Sequence, residues 1–182
     1  MVPSAPPSVS MFITDNDSTS LTMVVRWTAP AGPVTSYRIT LHSGSDVQHT
    51  VPAGTLQSSF DLACDAACHG SQPSAAVQAV NAAGTGPQTV DVPGALPVVS
   101  SVTCADIGNG LAQCKLSASA TTITWTDNLG QPIGPTTNSI YDVLFGCVPL
   151  DSTHVVTMTA SNAAGAAVRH LSVHCVSAGV PE

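Results

Sequence analysis

The stretch from Cys64 to His69, CDAACH, places two thiols and an imidazole close together in the chain. A c-type haem site has two residues between its cysteines, whereas this stretch has three, so the spacing disfavours haem. The same groups could form half of a zinc site, which Asp65 or His69 would have to complete. A local disulfide between Cys64 and Cys68 is the favoured interpretation, with zinc and reduced thiols as open alternatives. We therefore expect no cofactor and no bound metal.

Two histidines near the C-terminus form a second candidate metal pair. His170 and His174 are followed directly by Cys175. On a helix this spacing would bring both imidazoles to one metal ion, but the segment VRHLSVHC alternates as a β-strand does. Four residues of strand separate the two side chains by about 13 Å. The pattern therefore predicts two surface histidines.

Other groups that could do chemistry have a simpler interpretation. Asp15, Asn16 and Asp17 could contribute to a calcium site, but the loop has no glutamate and no EF-hand spacing, so a turn is predicted. Trp27 and Trp125 could be sugar platforms, yet both lie where a β-sandwich buries its core tryptophan. The sequence has no G-x-S-x-G, P-loop or H-E-x-x-H motif, and no paired-carboxylate motif is recognisable. We predict no enzymatic activity.

The charge composition limits the classes of partner. Four basic residues stand against eleven acidic ones, and the net charge is -7. Nucleic-acid binding needs clustered Lys and Arg to neutralise phosphates, so nucleic acid and anionic membranes are poor partners. No apolar run approaches the roughly 18 residues of a membrane span, and no signal peptide is visible at the N-terminus. The chain is expected on a virion surface or outside the cell.

The cysteine count points to the same compartment. There are six cysteines in a chain that is poor in Lys and rich in Ser, Thr and Pro, a composition that favours disulfides over metal ligands. We expect most of them to be disulfide-bonded: Cys64, Cys68, Cys104, Cys114, Cys147 and Cys175.

Short alternating segments bounded by Gly, Pro, Asn and Asp predict an all-β fold, because helical periodicity is nearly absent. In SYRITL, Tyr37, Ile39 and Leu41 fall on one face and the polar residues on the other, as expected of a sheet with one face in a core. The segments predicted as strands are 20–27, 36–43, 75–80, 121–127, 155–162 and 168–175.

The two halves of the chain repeat loosely. AVNAAGTG (79–86) recurs as ASNAAGAA (160–167), and VVRWTAP (24–30) recurs as TITWTDN (122–128). The boundary falls in the proline-punctuated stretch 92–99. The repeat predicts two tandem β-sandwich domains, residues 1–95 and 96–182.

The first half resembles a fibronectin type III domain. The resemblance is carried by Pro6 and Pro7, RWTAP (26–30), Tyr37 and VQAVNAAGTGP (77–87). The family usually has a tyrosine about six residues before the alanine of AVN, where it forms the corner between strands E and F. Here Pro73 occupies that position. The resemblance places CDAACH in the E–F loop, where a disulfide would substitute for the missing tyrosine corner.

The second half resembles an immunoglobulin-like domain of the kind found in bacterial surface and phage proteins. QCKLSASATTITWTDNLGQPI (113–133) is similar to strands B and C, and VTMTASNAAG (156–165) to strand F. The family's second cysteine would lie at Met158, so the usual inter-sheet disulfide of Cys114 cannot form.

The same resemblance implies that the four cysteines of the second half lie together at one end of the sandwich. Cys104 would end strand A and Cys114 would begin strand B, joined by the turn ADIGNGLAQ (105–113). Cys147 would end strand E and Cys175 strand G. The favoured pairing is 104 with 114 and 147 with 175, because the first closure is local. The alternative is 104 with 175 and 114 with 147.

Both resemblances imply a non-enzymatic structural or interaction protein. The expected role is a virion surface protein of a phage, decorating its capsid or tail, because the sequence starts with Met and shows no leader. The alternative is an adhesion or carbohydrate-binding module of a secreted or cell-surface protein. The expected partners are virion or cell-surface proteins or surface glycans, with no nucleic acid and no membrane insertion.

Overall fold

The computed structural model describes residues 1–17, 19–64, 72–134, 142–147 and 149–176. Every described element is a β-strand, so the predicted all-β fold with two β-sandwiches is confirmed. The chain divides into two compact units, Met1–Ala95 and Leu96–Glu182.

The first unit is a sandwich of two antiparallel sheets. One sheet contains β1, β2 and β5 side by side, and the other has the order β4-β3-β6-β7. The strands are β1 Val9–Asn16, β2 Ser20–Trp27, β3 Ser36–Ser43, β4 Ser45–Pro52, β5 Gln57–Ala63, β6 Ser74–Asn81 and β7 Gly84–Asp91.

Strand alternation builds the core of the first unit. Tyr37, Ile39 and Leu41 are at most 1% exposed, as their spacing in the sequence predicts. The facing sheet contributes buried side chains at alternate positions of β1 and β2 in the same way. Trp27 packs edge-on against Tyr37, with ring centroids 5.4 Å apart. The opposite face of β3 carries the polar residues Ser36, Arg38 and Thr40, whereas on the opposite face of β1 and β2 the exposed Phe12 lies beside Val24.

The second unit is also a two-sheet sandwich. One sheet has the order β11-β9-β8, and in the other β12 lies between β10 and β13. Its core contains Cys114, Trp125 and Met158. The strands are β8 Val98–Gly108, β9 Leu111–Ser119, β10 Thr122–Thr126, β11 Asp142–Gly146, β12 Ser152–Ser161 and β13 Gly165–Cys175.

The turn expected over residues 105–113 is much shorter than predicted. β8 runs to Gly108 and β9 begins at Leu111, so Asn109 and Gly110 alone form the turn. Both have positive φ, 57° and 70°. Asn-Gly is the pair that a two-residue hairpin turn favours, because it tolerates positive φ at both positions. The predicted turn was therefore too long, because the residues on both sides of this pair continue the strand pairing up to Gly108 and from Leu111.

The repeated NAAG sequence forms the same turn in both units. The Asn81 side-chain oxygen accepts a hydrogen bond from the Ala83 amide at 2.8 Å. The Asn162 oxygen accepts from the Ala164 amide at 2.9 Å and the Gly165 amide at 3.1 Å. The repeat is therefore explained by local turn chemistry between the last two strands of each sandwich.

A glycine allows the N-terminal segment to pack on β7. A Cβ at Gly86 would lie 2.3 Å from the carbonyl oxygen of Pro3. The same segment is held by a hydrogen bond from the Thr89 hydroxyl to the Pro6 carbonyl. Close backbone approach therefore requires glycine at this position.

We expect Gly86→Ala to destabilise the first unit by roughly 1–3 kcal/mol, because the backbone of the N-terminal segment must move away. Gly54→Ala is the matched control, since a Cβ at Gly54 meets nothing within 4 Å. The measurement is urea unfolding of both variants. Equal midpoints would show that the contact with Pro3 is not stabilising.

Candidate functional site

The four cysteines of the second unit form two disulfides. Cys104 pairs with Cys114 across the β8–β9 hairpin, with Cα atoms 4.0 Å apart. Cys147 pairs with Cys175, with Cα atoms 5.7 Å apart. This is the pairing favoured from the sequence. Met158 lies in the same core cluster as Cys114 and Trp125, at the position where an immunoglobulin domain would have its second cysteine.

The two disulfides lie at one end of the second unit. Cys147 and Cys175 are fully buried, and Cys104 packs against their cluster. The Cys147 amide donates to the Gly110 carbonyl at 2.8 Å, and the Asp151 amide donates to the Cys175 carbonyl at 2.6 Å. The end of β11 is therefore held at the β8–β9 turn, and the end of β13 is held to the residue before β12.

Asp106 stabilises the same end of the second unit through hydrogen bonds. Its carboxylate accepts hydrogen bonds from the amides of Val176 and Gly108, each at 2.8 Å. These bonds, helped by the nearby His174, hold the pKa of the Asp106 carboxyl below its usual value of 3.8. Sequence reasoning did not identify this residue, although an aspartate two residues before a Gly is a recognisable turn signal.

Asp106 should make stability depend on pH. Because its folded-state pKa is depressed, its contribution is present above the unfolded pKa and is lost as pH falls through the folded pKa. We expect Asp106→Asn to be less stable than the native chain at neutral pH, with the difference closing as the pH falls below the usual aspartate pKa of 3.8. Urea midpoints from neutral pH down into the acid range provide the measurement. A difference that stays constant with pH would contradict the prediction.

The segment CDAACH, residues 64–69, lies partly outside the described residues. Cys64 directly follows β5, is 6% exposed and is disulfide-bonded. Asp65, Cys68 and His69 lie outside the described residues, so the pairing of Cys64 with Cys68 stays a prediction. Pro73, at the position of the family's corner tyrosine, is buried just before β6.

The two C-terminal histidines lie on a strand and do not converge. His170 and His174 are exposed on β13, and each faces a different threonine of β12. The His170 Nδ1 is 2.9 Å from the Thr157 hydroxyl, and the His174 Nδ1 is 3.4 Å from the Thr153 hydroxyl. In the part of the chain that the structure describes, no group of three or more His, Cys, Asp or Glu is placed to hold a metal ion.

The acidic stretch and the tryptophans have structural positions. Asp15 and Asn16 end β1, and Asp17 lies in the turn to β2 with a φ of 54°. Trp27 is 4% exposed and Trp125 is 3% exposed. Both tryptophans are core residues, as predicted, and neither ring is available as a sugar platform.

The outer face of the β4-β3-β6-β7 sheet is the candidate interaction surface. Its residues follow from the strand register: Arg38 lies opposite Thr50 on one side and Gln78 on the other, and Gln78 lies opposite Gln88. We call these four residues the polar row. An adjacent row contains Gln48, Thr40, Ala76 and Val90. Alternation in SYRITL signals that this face is polar, but only the register shows that its hydrogen-bonding side chains line up.

Arg38 is the central charge of this face. No hydrogen bond or ion pair joins it to another described residue. Arg26, on the outer face of the other sheet, instead donates to the Gln57 side chain at 2.7 Å. A guanidinium offers five donors in a planar fork, so Arg38 retains its full capacity to bind a carboxylate or a carbonyl of a partner.

No helix among the described residues is long and apolar enough to cross a membrane.

No curated protein sequence matches this chain. The FN1–FN3 domains of chicken CNTN1 are 14% identical, with 95% of this chain and 68% of that chain covered and a TM-score of 0.41. A two-domain fibronectin type III segment of chicken tenascin is 16% identical, with 90% and 95% covered and a TM-score of 0.34.

A third solved structure is the ectodomain of mouse nectin-like molecule 4, which is 12% identical, with 99% of this chain and 67% of that chain covered and a TM-score of 0.31. The family model of the fibronectin type III domain matches residues 4–94, and thus the whole first sandwich apart from its ends. The chain belongs to the fibronectin type III family.

Proposed function

We propose that this protein is a non-enzymatic structural and interaction protein of a phage particle, displayed on the capsid or tail as a decoration protein. Its first domain is the fibronectin type III sandwich, residues 1–95, and its second, residues 96–182, is an immunoglobulin-like sandwich. The first domain makes the interaction. The second domain, which is stabilised by two disulfide bonds, supports it.

The polar row is the observation that supports the interaction role in this proposal. Four strands present Thr50, Arg38, Gln78 and Gln88 side by side on one sheet face. Arginine is enriched among the residues that dominate binding energy at protein interfaces, and surrounding neutral side chains exclude water around it. The row suits a protein partner that offers a carboxylate at its centre and amide or hydroxyl groups at its sides.

The two disulfides of the second unit support a location outside the cytoplasm, because reducing compartments rarely keep structural disulfides. They suit a cell-surface location equally well. An extracellular adhesion or carbohydrate-binding module is therefore the second candidate. The amides and hydroxyls of the polar row favour it, because they are the groups that hydrogen-bond to sugar hydroxyls.

Location separates the two candidates. Phage particles and cell envelopes are purified from a culture that produces the protein. The protein is then measured in each by quantitative mass spectrometry. The virion role requires a fixed copy number per particle that survives extensive washing. Enrichment in envelopes, with none in particles, would establish the adhesion role instead.

Binding is then tested with two matched arginine variants. Arg38→Ala removes the centre of the polar row, whereas Arg26→Ala removes the exposed arginine of the opposite sheet. Co-sedimentation with particles or envelopes stripped of the protein should fall by about tenfold or more for the first variant, the usual loss for an interface anchor, and stay unchanged for the second. Equal binding by both variants would remove the polar row from the proposal.

A further inference from the structure

β4 is a regular strand at the end of its sheet. It pairs with β3 over its whole length, from Ser36 opposite Pro52 to Ser43 opposite Ser45, without a register shift. No described strand lies on its other side. Its outer edge therefore presents unpaired backbone amides and carbonyls, which are a template for another strand.

Four of the other strands at sheet ends carry features that discourage such pairing, and the fifth, β5, has the charged Asp61 within it. β7, at the far end of the same sheet, contains Pro87 and a register shift, and the N-terminal segment packs on it at Gly86. β8 has two register shifts, and β10 and β11 have only five residues each. β4 has eight residues, with Asp46 near one end and Pro52 at the other and no charge or proline between them.

β4 also carries an unsatisfied polar atom. The His49 ring packs on Phe60, with centroids 4.5 Å apart. Its Nε2 atom is buried and has no hydrogen-bond partner. The His49 ring therefore packs into its own copy, against the facing sheet, and holds the centre of β4 in place.

We propose that β4 pairs antiparallel with β4 of a second copy of this chain, centred on His49, so that the two four-stranded sheets become one continuous sheet. In antiparallel pairing, directly opposite residues point to the same face. A register centred on His49 keeps the core-facing side chains of both copies on one side and continues the polar face across the junction. The two His49 residues then lie opposite each other at the centre of the junction.

This register is self-complementary. Val47 lies opposite Val51 of the second copy, and Gln48 lies opposite Thr50 of the second copy, so β-branched and neutral polar pairs meet. Asp46 lies opposite Pro52 of the second copy. The two Asp46 carboxylates are therefore about 20 Å apart, which exceeds the Debye length at physiological salt. No two like charges therefore face each other across the junction between the two β4 strands.

The dimer should be weak. Pairing of single edge strands buries less than the roughly 1,200 Å² that stable interfaces bury, which places it among transient contacts. We expect a dissociation constant on the order of 10–100 µM. Self-association goes beyond the proposed function, and neither depends on the other.

Two double variants that differ only at position 48 test the register. In Q48E/T50E, two pairs of like charges would face each other across the junction; in Q48K/T50E, two pairs of opposite charges would do so. Both side chains are exposed, and Thr50 lies opposite Arg38 within one copy, so a glutamate at that position is tolerated equally in both variants.

The experiment is sedimentation velocity of the full chain from about 1 µM to about 500 µM, a range that brackets the expected dissociation constant. The native chain should shift from monomer to dimer, Q48E/T50E should bind about tenfold more weakly, and Q48K/T50E should bind at least as tightly as the native chain. A native chain that is monomeric throughout, or two variants of equal affinity, would overturn the proposal. Circular dichroism of both variants confirms that each is folded.

Discussion

Replacing both Cys147 and Cys175 with serine is expected to lower the free energy of unfolding of the second unit by about 3.5 kcal/mol. The disulfide spans a sequence separation of 28, and the loop-entropy model assigns that closure about this value. It also fastens the end of β13 to the end of β11, and both sulfurs are buried. For a unit of this size the melting temperature should fall by roughly 15–25 °C.

The matched control is the double serine variant of Cys104 and Cys114. That disulfide spans a separation of only 10, so the same model assigns it about 2.7 kcal/mol. Both variants are measured in a Trp27→Phe background, where fluorescence of Trp125 reports the second unit alone. A larger loss in the 104–114 variant would show that loop length does not set the order, and unchanged stability in both would show that the thiols are not bonded in solution.

The pairing of these cysteines could be predicted because strand topology determines which strand ends meet. The resemblance of the second half to an immunoglobulin-like domain implied that strands A, E and G end near the start of strand B. It left two pairings of the four cysteines open. The structure has the pairing with the local closure, between Cys104 and Cys114.

The strands themselves were predicted from alternation because burial on one sheet face is a period-two signal. SLTMVVRW and SYRITLHS coincide with β2 and β3 to the residue. Each has apolar side chains facing inward and mostly polar ones facing outward. No comparable local signal marks the Asp106 hydrogen bond to Val176, because its partners are 70 positions apart.

The polar row could not be read from the sequence for a related reason. Alternation places Arg38 and Gln78 on an outer face but gives no register between β3 and β6, since a shift by two residues would satisfy the same pattern. Direct opposition of Arg38 and Gln78 is known only from the strand pairing. Surface chemistry that depends on neighbouring strands is therefore the part of this protein that the sequence alone leaves undetermined.

Truncating the core tryptophan of the second unit, Trp125→Ala, is expected to cost about 3–5 kcal/mol of stability, the usual cost of removing a large buried ring. Trp125 is 3% exposed and lies directly opposite Met158 in the β10–β12 pairing. Met158 lies in the same core cluster as Cys114 and Trp125, and Cys114 bonds to Cys104 within its own sheet, so no disulfide of Cys114 crosses between the sheets here. Packing must therefore hold the two sheets together at this level of the core.

The comparison variant for this prediction is Leu129→Ala. Leu129 lies in the segment after β10, and it is 77% exposed. Its effect should stay within about 0.5 kcal/mol, as for most surface substitutions. Both are measured by calorimetry, because the tryptophan signal is lost in the first variant. If Trp125→Ala unfolded no more easily than Leu129→Ala, the two disulfides at the end of the sandwich would have to be sufficient to hold its sheets together without the central ring.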